Sequence, residues 1–417
     1  MVNRTTTVIV GASIAGIRAA ATIRRIDPDC RIIVVDGEDE DPYDKPPLSK
    51  AVLTQPTLPS VGLADHLGSE IDHRRATFAV GLNSHTSTLV LDDGSTIEYD
   101  SAILATGSTP RRLAQFEAIP GVHYLRTLAD AISLRRALQR RSRVVIIGGG
   151  FIGCEVAASA RRGGHEVTII EAAPRLAMRV MPEPVSEALS ELHEDNGVTV
   201  RCGTAVRSAS HDSIQNTVLI ELDDETALVA DVVVVGIGTQ PNTDWAASSA
   251  VPIDDGFVCG PDLRVDGMTN VFAIGDAARW LNRRYGQMMR LEHWTNAREH
   301  AVVAARNACQ FSAPCYATSV PFVWSDQYET RIQHVGDPNL AAVDVHSTKI
   351  LDTGRLFTYS RNGVLVGATG FNAQSALARI RKQLIDCTEP DERIRTKTDN
   401  QRVHPVCGRR SDSSRRS

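Results

Sequence analysis

No C-x-x-C pair, and no other spacing that suits a metal or a redox dithiol, occurs among the eight cysteines at positions 30, 154, 202, 259, 309, 315, 387 and 407. Cys30 and Cys154 fall in strand or helix patterns and are expected to be small core residues. No apolar run is long enough to cross a bilayer as a helix. The first strand begins within ten residues of Met1, which leaves no room for a signal peptide, so a cytoplasmic protein without disulfides is expected. Charge of one sign is also lacking. The 45 Lys and Arg nearly offset the 50 Asp and Glu, for a net −5, and general affinity for nucleic acid is not expected.

Two short glycine-rich segments carry the chemistry. TVIVGASIAGIRAA places Gly11 and Gly16 around a loop, and the following strand pattern IIVVD ends at Asp36. RVVIIGGGFIGCEVA repeats the arrangement with Gly148, Gly150 and Gly153, and EVTIIE ends at Glu171. In such a strand-loop-helix unit the first Gly makes the tight turn, the second admits the pyrophosphate and the third packs helix on strand. The helix N-terminus then faces the phosphates. One match is a weak signal, but two with correctly placed acids imply two dinucleotides on one chain. Ser13 replaces the middle Gly of the first loop, a small residue tolerated where FAD binds.

Both units continue alike, because LVLDDGSTIEYDSAILATG and LIELDDETALVADVVVVGIG each read as a hairpin, an Asp, a buried strand and a small-residue end. The corners lie at Asp92-Asp93-Gly94 and Asp223-Asp224. We therefore expect an α/β chain of two Rossmann-like domains plus a smaller C-terminal α+β domain. The FAD domain is expected from 1–111 with 243–318, the NADH domain from 112–242 and the C-terminal domain from 319–391. In that last part, strand-like segments turn at Asp352-Thr353-Gly354 and Arg361-Asn362-Gly363, and AQSALARIRKQLID closes as an amphipathic helix. Residues 392–417 carry eight Lys or Arg against three acids and read as a solvated, disordered tail.

Disulfide reductases of this architecture need a close Cys pair beside the flavin, and peroxide or oxygen reductases often use one Cys near residues 43–50. Here that stretch reads YDKPPLSKA. Electrons from a hydride must then leave the flavin for an external acceptor.

In GASIAGIRAA, PYDKPPLSK, ILATGSTPR, GGGFIGCEVA, GIGTQPNT, VFAIGDAA, RLEHWTNA and PFVWSDQY, taken in order, the chain resembles the ferredoxin reductases of bacterial P450 and aromatic-ring dioxygenase systems, of the putidaredoxin reductase type. The combination of PPLSK with WSDQY is the most specific part, and the matching segments run from residue 7 to about 385.

The resemblance implies an NADH:ferredoxin oxidoreductase, a monomer or weak homodimer. FAD and NADH are its cofactors, and its iron–sulfur ferredoxin, of the 2Fe-2S kind, serves a P450 or Rieske oxygenase. It implies that Gly11, Ser13, Ile14, Ala15 and Gly16 hold the FAD pyrophosphate, Asp36 its adenosine ribose and Asp276, beside Gly275, its ribityl chain. Thr106 and Gly107 close the first unit against the cofactor.

Lys50 is expected near the reactive flavin nitrogen, with Glu155 as its partner close to the nicotinamide. Gly148, Gly150, Phe151, Ile152, Gly153, Glu171 and Arg175 are assigned to NADH. Arg126, Gly238, His293 and Trp294 complete the cofactor contacts, and Trp324 is placed between flavin and acceptor. Lys45 stands where the family usually has an Arg, which supplies charge but no bidentate fork. Phe322 stands where many relatives carry Trp. Arg379, Arg381 and Lys382 are candidate contacts for an acidic ferredoxin. Rubredoxin reductase or NADH oxidase is the alternative within enzymes, and an NADH-sensing interaction protein like apoptosis-inducing factor is the alternative from another class.

Overall fold

The computed structural model describes residues 4–63, 68, 70–309, 313–337, 343–350 and 354–386. The Asp352-Thr353 part of one expected turn, two of the eight cysteines and the basic segment 392–417 lie outside the described residues.

Continuous apolar runs such as TTVIV and RVVII form the centres of two parallel sheets, each buried on both faces as parallel sheets require. In the first, the order is Val271–Ala273, Ser101–Leu104, Thr6–Val10, Arg31–Val35 and Asp72–Arg74. The second sheet runs Val122–Tyr124, Val232–Val235, Arg143–Ile147, Glu166–Glu171 and Thr199–Cys202. Four strands of each sheet follow the same order; the fifth differs, because Val271–Ala273 is the last strand of its sheet in chain order and Val122–Tyr124 the first of its own. Each also carries a three-stranded antiparallel sheet, built on Thr88–Leu91 in one unit and Thr217–Leu222 in the other. The Asp-rich corners lie in the turns between those strands and the next. Ser108–Pro110 pairs antiparallel with Thr239–Pro241, so the outgoing and returning chains between the units are stitched together.

The C-terminal part is a five-stranded antiparallel sheet in the order Phe322–Gln327, Thr330–Gly336, Val364–Phe371, Gly354–Arg361, Asp344–Ile350. Asn362 and Gly363 both have positive φ, as a two-residue hairpin turn between twisted strands demands. Leu377 and Leu384 on the helix Gln374–Asp386 cover one face, packing with Val335, Leu356 and Ala368. Ile332, Phe357, Tyr359 and Phe371 on this sheet share a core with Leu48 and Val52 of the first unit and with Cys154 and Val156 of the second. All three parts are thus joined by apolar packing around one helix, Phe151–Arg162. No helix among the described residues is long and apolar enough to cross a membrane.

Candidate functional site

The two cradles are built by the same steric device. Gly11 and Gly148 both have φ +106°, and a Cβ there would lie 2.4 Å from Ala105 O and 2.3 Å from Gly236 O. Only Gly takes that turn without strain. A Cβ on Gly16 or Gly153 would meet the carbonyl of Gly11 or Gly148 within about 2 Å, so each helix lies directly on its strand turn. Around Gly150 nothing lies within 4 Å of where a Cβ would be, and the loop is open on that side. The helices Ile14–Ile26 and Phe151–Arg162 start at Ser13 and Gly150 with no side-chain cap, so their first N–H groups face outward, as an anion site requires.

The first cradle opens on a cleft of 170 Å³ lined by Gly11, Ser13, Asp36, Lys45, Thr106 and Arg126. Burial, and then Glu38, push the Asp36 carboxyl above its ordinary value. Ala15 is buried against Gly275, and Ile14 packs on the core below. Asp276 accepts from Ser108 Oγ at 2.9 Å and from Arg126 Nη2 at 3.3 Å, while Gly107 lies directly under that guanidinium. Thr106 Oγ1 donates to Asn242 O, tying the cleft wall to the returning chain.

Lys45 is held by Glu38 at 3.2 Å and lies 4.8 Å over the Tyr43 ring. Burial and the Arg126 charge lower its pKa. Tyr43 itself donates to Glu38 and accepts from Leu128 N–H. These donors and acceptors around a narrow cleft suit a dinucleotide.

In the second cradle the Glu171 carboxylate accepts from Gly149 N–H at 2.6 Å and Ala173 N–H at 2.7 Å. Ile152 is exposed on the first turn, and Phe151 packs inward. Arg175 is engaged by Glu183 at 2.9 Å, and Arg179 reaches back to Ile237 O beside Gly238.

Glu155 is where the parts converge. Glu155 lies too far along its helix for the helix N-terminus alone to stabilise its charge. It is the fifth residue of its helix, and no acid occupies that first turn. It is buried, and its stabilisation comes from side chains. Lys50 Nζ lies 2.6 Å from Oε2, Ser49 Oγ donates to the same oxygen at 2.5 Å, and Ser325 Oγ donates to Oε1 at 2.7 Å. Ser49 and Lys50 come from the proline-rich segment of the first unit and Ser325 from the C-terminal sheet.

Lys50 also lines a cavity of 760 Å³ with Pro46, Ser159, His165, Trp324 and Asp326. Trp324 meets Trp294 edge-on at 5.5 Å and Phe322 at 6.4 Å, and Trp294 Nε1 donates to Asp44 at 2.8 Å. His293, which precedes Trp294, is half-buried with its Nδ1 shielded and unpaired, and burial pushes its pKa down to about 4.

The expected residues thus fall into three groups: the first cleft with Gly11, Asp36, Lys45, Thr106 and Arg126, the second cradle with Gly148, Gly153 and Glu171, and the Lys50–Glu155 pair with Trp324 on the neighbouring cavity. Arg381 and Lys382 are instead engaged locally. Arg381 pairs with Glu299 and lies over Phe322, and Lys382 pairs with Asp386. Sequence reasoning missed Ser49, Ser325, Gln327, Ser108 and Asp44. The alternation in WSDQ, which puts Ser325 and Gln327 on one face and Trp324 and Asp326 on the other, was the signal for two of them.

Residues 5–301 match the family model for pyridine nucleotide-disulphide oxidoreductases, and residues 322–400 match a reductase C-terminal model. The chain is 36% identical over 337 residues to the ferredoxin–NAD(+) reductase component of the anthranilate 1,2-dioxygenase system of Burkholderia cepacia, covering 79% of this chain and 81% of that protein. A rubredoxin–NAD(+) reductase of Pseudomonas putida is 34% identical, over 79% of this chain and 86% of its own. The solved covalent complex of putidaredoxin reductase with putidaredoxin superposes with a TM-score of 0.85 at 30% identity, covering 92% of this chain and 93% of that one.

Proposed function

The chain belongs to the pyridine nucleotide-disulphide oxidoreductase family, and we propose that within it the protein is an NADH-dependent, FAD-containing reductase that passes electrons singly to an iron–sulfur ferredoxin. One NADH and two oxidised ferredoxins become NAD+, a proton and two reduced ferredoxins. The observation that carries this reading is the Lys50–Glu155 pair, whose Lys50 lines a cavity together with Trp324, with no cysteine among the described residues lining that cavity or the first cleft. A thiol relay has no place there.

When bound, FAD supplies the conversion of one two-electron hydride into two single electrons. The chain supplies position and charge. Gly11, Ser13, Ile14, Ala15 and Gly16 hold the pyrophosphate, Asp36 accepts from the ribose hydroxyls, Lys45 and Arg126 offset phosphate charge, and Asp276 holds the ribityl chain. Gly148, Gly150, Phe151, Ile152, Gly153 and Glu171 seat NADH. Lys50 places a cation where negative charge develops on reduction, and Glu155 holds that cation in place. His293 and Trp294 wall the cleft, and Trp324 stands on the exit side.

The three-part division into 1–111 with 243–318, 112–242 and 319–391 is supported by the sheets each part contains. The proposal extends to a 2Fe-2S ferredoxin that feeds a P450 or Rieske oxygenase, to a monomer or weak dimer, and to a reducing, cytoplasmic compartment. The free state of the six described cysteines fits that compartment. A rubredoxin is the alternative acceptor, favoured by the likeness to a reductase named for it. Steady-state reduction of cytochrome c by NADH, with and without added ferredoxin, tests the reading. Ferredoxin-dependent turnover is expected; slow turnover with NADH-dependent dimerisation would favour a sensor instead.

A further inference from the structure

Three donors share the Glu155 carboxylate, and one of them belongs to a chain of buried side chains. Ser325 and Gln327 are both fully buried on the same face of the strand Phe322–Gln327, while Trp324 and Asp326, on the other face, line the 760 Å³ cavity. Gln327 Nε2 lies 3.0 Å from Ser325 Oγ. An ionised carboxylate only accepts, so the single Ser325 proton goes to Glu155 Oε1, and what faces the Ser325 lone pair must be a donor. That fixes the Gln327 amide with its nitrogen toward Ser325.

Gln327 Oε1 is then turned away, buried with no hydrogen-bond partner, and His193 Nε2 is buried and unpaired as well. The two atoms are complementary, an acceptor and an N–H, and Gln327 offsets part of the burial that holds the His193 ring neutral. His193 Nδ1, 2.9 Å from Tyr328 OH, accepts in that tautomer. The Ser325 and Gln327 donors are thus both directed toward Glu155.

We propose that Ser325 and Gln327 are positioning residues that set how tightly Glu155 holds Lys50. Glu155 receives one hydrogen bond from the C-terminal sheet on Oε1, and this draws part of its charge away from the ammonium on Oε2. The charge that Lys50 retains is what it presents to the flavin, a step that rests on the proposed function. Without the Ser325 donor, Glu155 leans on Lys50, the local potential becomes less positive, and the flavin is harder to reduce. Gln327 acts one bond further back by holding the Ser325 hydroxyl in its donating rotamer.

The test uses the FAD-loaded full chain and two readouts, the flavin midpoint potential and the stopped-flow rate of reduction by NADH. Ser325→Ala should lower the potential and slow reduction by about 3- to 10-fold, the factor one side-chain hydrogen bond commands. Gln327→Leu should do the same to a smaller extent, and Ser325→Thr, which keeps the hydroxyl, should restore both. In a Glu155→Gln background, Ser325→Ala should have no further effect on either readout. Equal effects in both backgrounds would mean that Ser325 acts through packing, and the proposal would be overturned. Lys50→Met serves as the control for the reading beneath it. If Lys50→Met moves neither readout, the pair does not act on the flavin and both readings fall together. If it moves them while Ser325→Ala and Gln327→Leu do not, only the positioning role falls.

Discussion

Lys50 Nζ and Glu155 Oε2 lie 2.6 Å apart, one from the loop that follows the first cradle and the other from the helix of the second. The two glycine-loop units are therefore coupled by a charge pair. Glu155 is almost wholly buried, so removing the cation leaves a carboxylate with only the two serine donors. Lys50→Met should slow reduction by NADH and lower the flavin potential, and Glu155→Gln, which frees the ammonium of its partner charge, should raise the potential as well as change nicotinamide binding. In the double variant the effects should be non-additive by about 0.5–3 kcal/mol, as contacting charges are. Strictly additive effects in stopped-flow reduction would show that the pair is not coupled.

Electron stoichiometry follows from where the thiols are. Cys154 is fully buried in the second cradle helix, and burial raises its pKa far from the range of a reactive thiolate. Cys30 and Cys259 are likewise buried core residues. Purified protein should carry one FAD per chain, and anaerobic titration should end at about one NADH per flavin, the two electrons a flavin takes. Uptake of four electrons per chain would reveal a redox dithiol and sink the argument.

Acid should destabilise this protein through histidines that fold neutral. Burial holds the rings of His193 and His293 down to about 4 and those of His300 and His334 to about 3, against an ordinary 6.5. Below 6.5 the unfolded chain binds protons that the folded chain refuses. The stability present above that pH is thus lost as pH falls toward 4, by up to about 1.4 kcal/mol per pH unit for each ring. His300 sits against the edge of Trp280 at 4.3 Å with neither ring nitrogen hydrogen-bonded. His300→Phe should therefore lose about 2 kcal/mol less between pH 7 and pH 5 than the parent in urea unfolding. Parallel pH profiles for the two would contradict this.

What was legible in the sequence is what is fixed locally. Gly11, Gly16, Gly148 and Gly153 meet backbone within five residues or across one strand pair, so their spacing announces the cradle before any tertiary contact is known. Asp36 and Glu171 follow from strand length alone. Glu155 was legible as a functional acid only through the family pattern, because its partners come from other units. Ser49 and Ser325 reach it across 106 and 170 positions. No local rule specifies that meeting. Small hydroxyls such as Ser108 on Asp276 are invisible for the same reason, since a serine in a polar segment has many local uses.

Preference between NADH and NADPH is the point at which residue type maps most directly onto affinity. Glu171 is anchored by two backbone N–H groups at the end of its strand, and the proposed function sets the adenosine ribose of NADH beside it. A charge-assisted bond to a ribose hydroxyl is worth roughly 1.5 to 3 kcal/mol. NADPH replaces one hydroxyl with a dianionic phosphate, losing that bond and meeting a like charge. The cations downstream are engaged elsewhere, Arg175 with Glu183 and Arg179 with the Ile237 carbonyl, so neither is free to neutralise the phosphate without giving up its partner. A penalty of about 2 to 4 kcal/mol gives a roughly 30-fold to 1000-fold preference for NADH in kcat/KM. Glu171→Ala should narrow that ratio mainly by weakening NADH, because the variant loses the ribose acceptor while Arg175 remains paired. Equal kcat/KM for the two nucleotides in the unmutated protein would remove Glu171 from the NADH site.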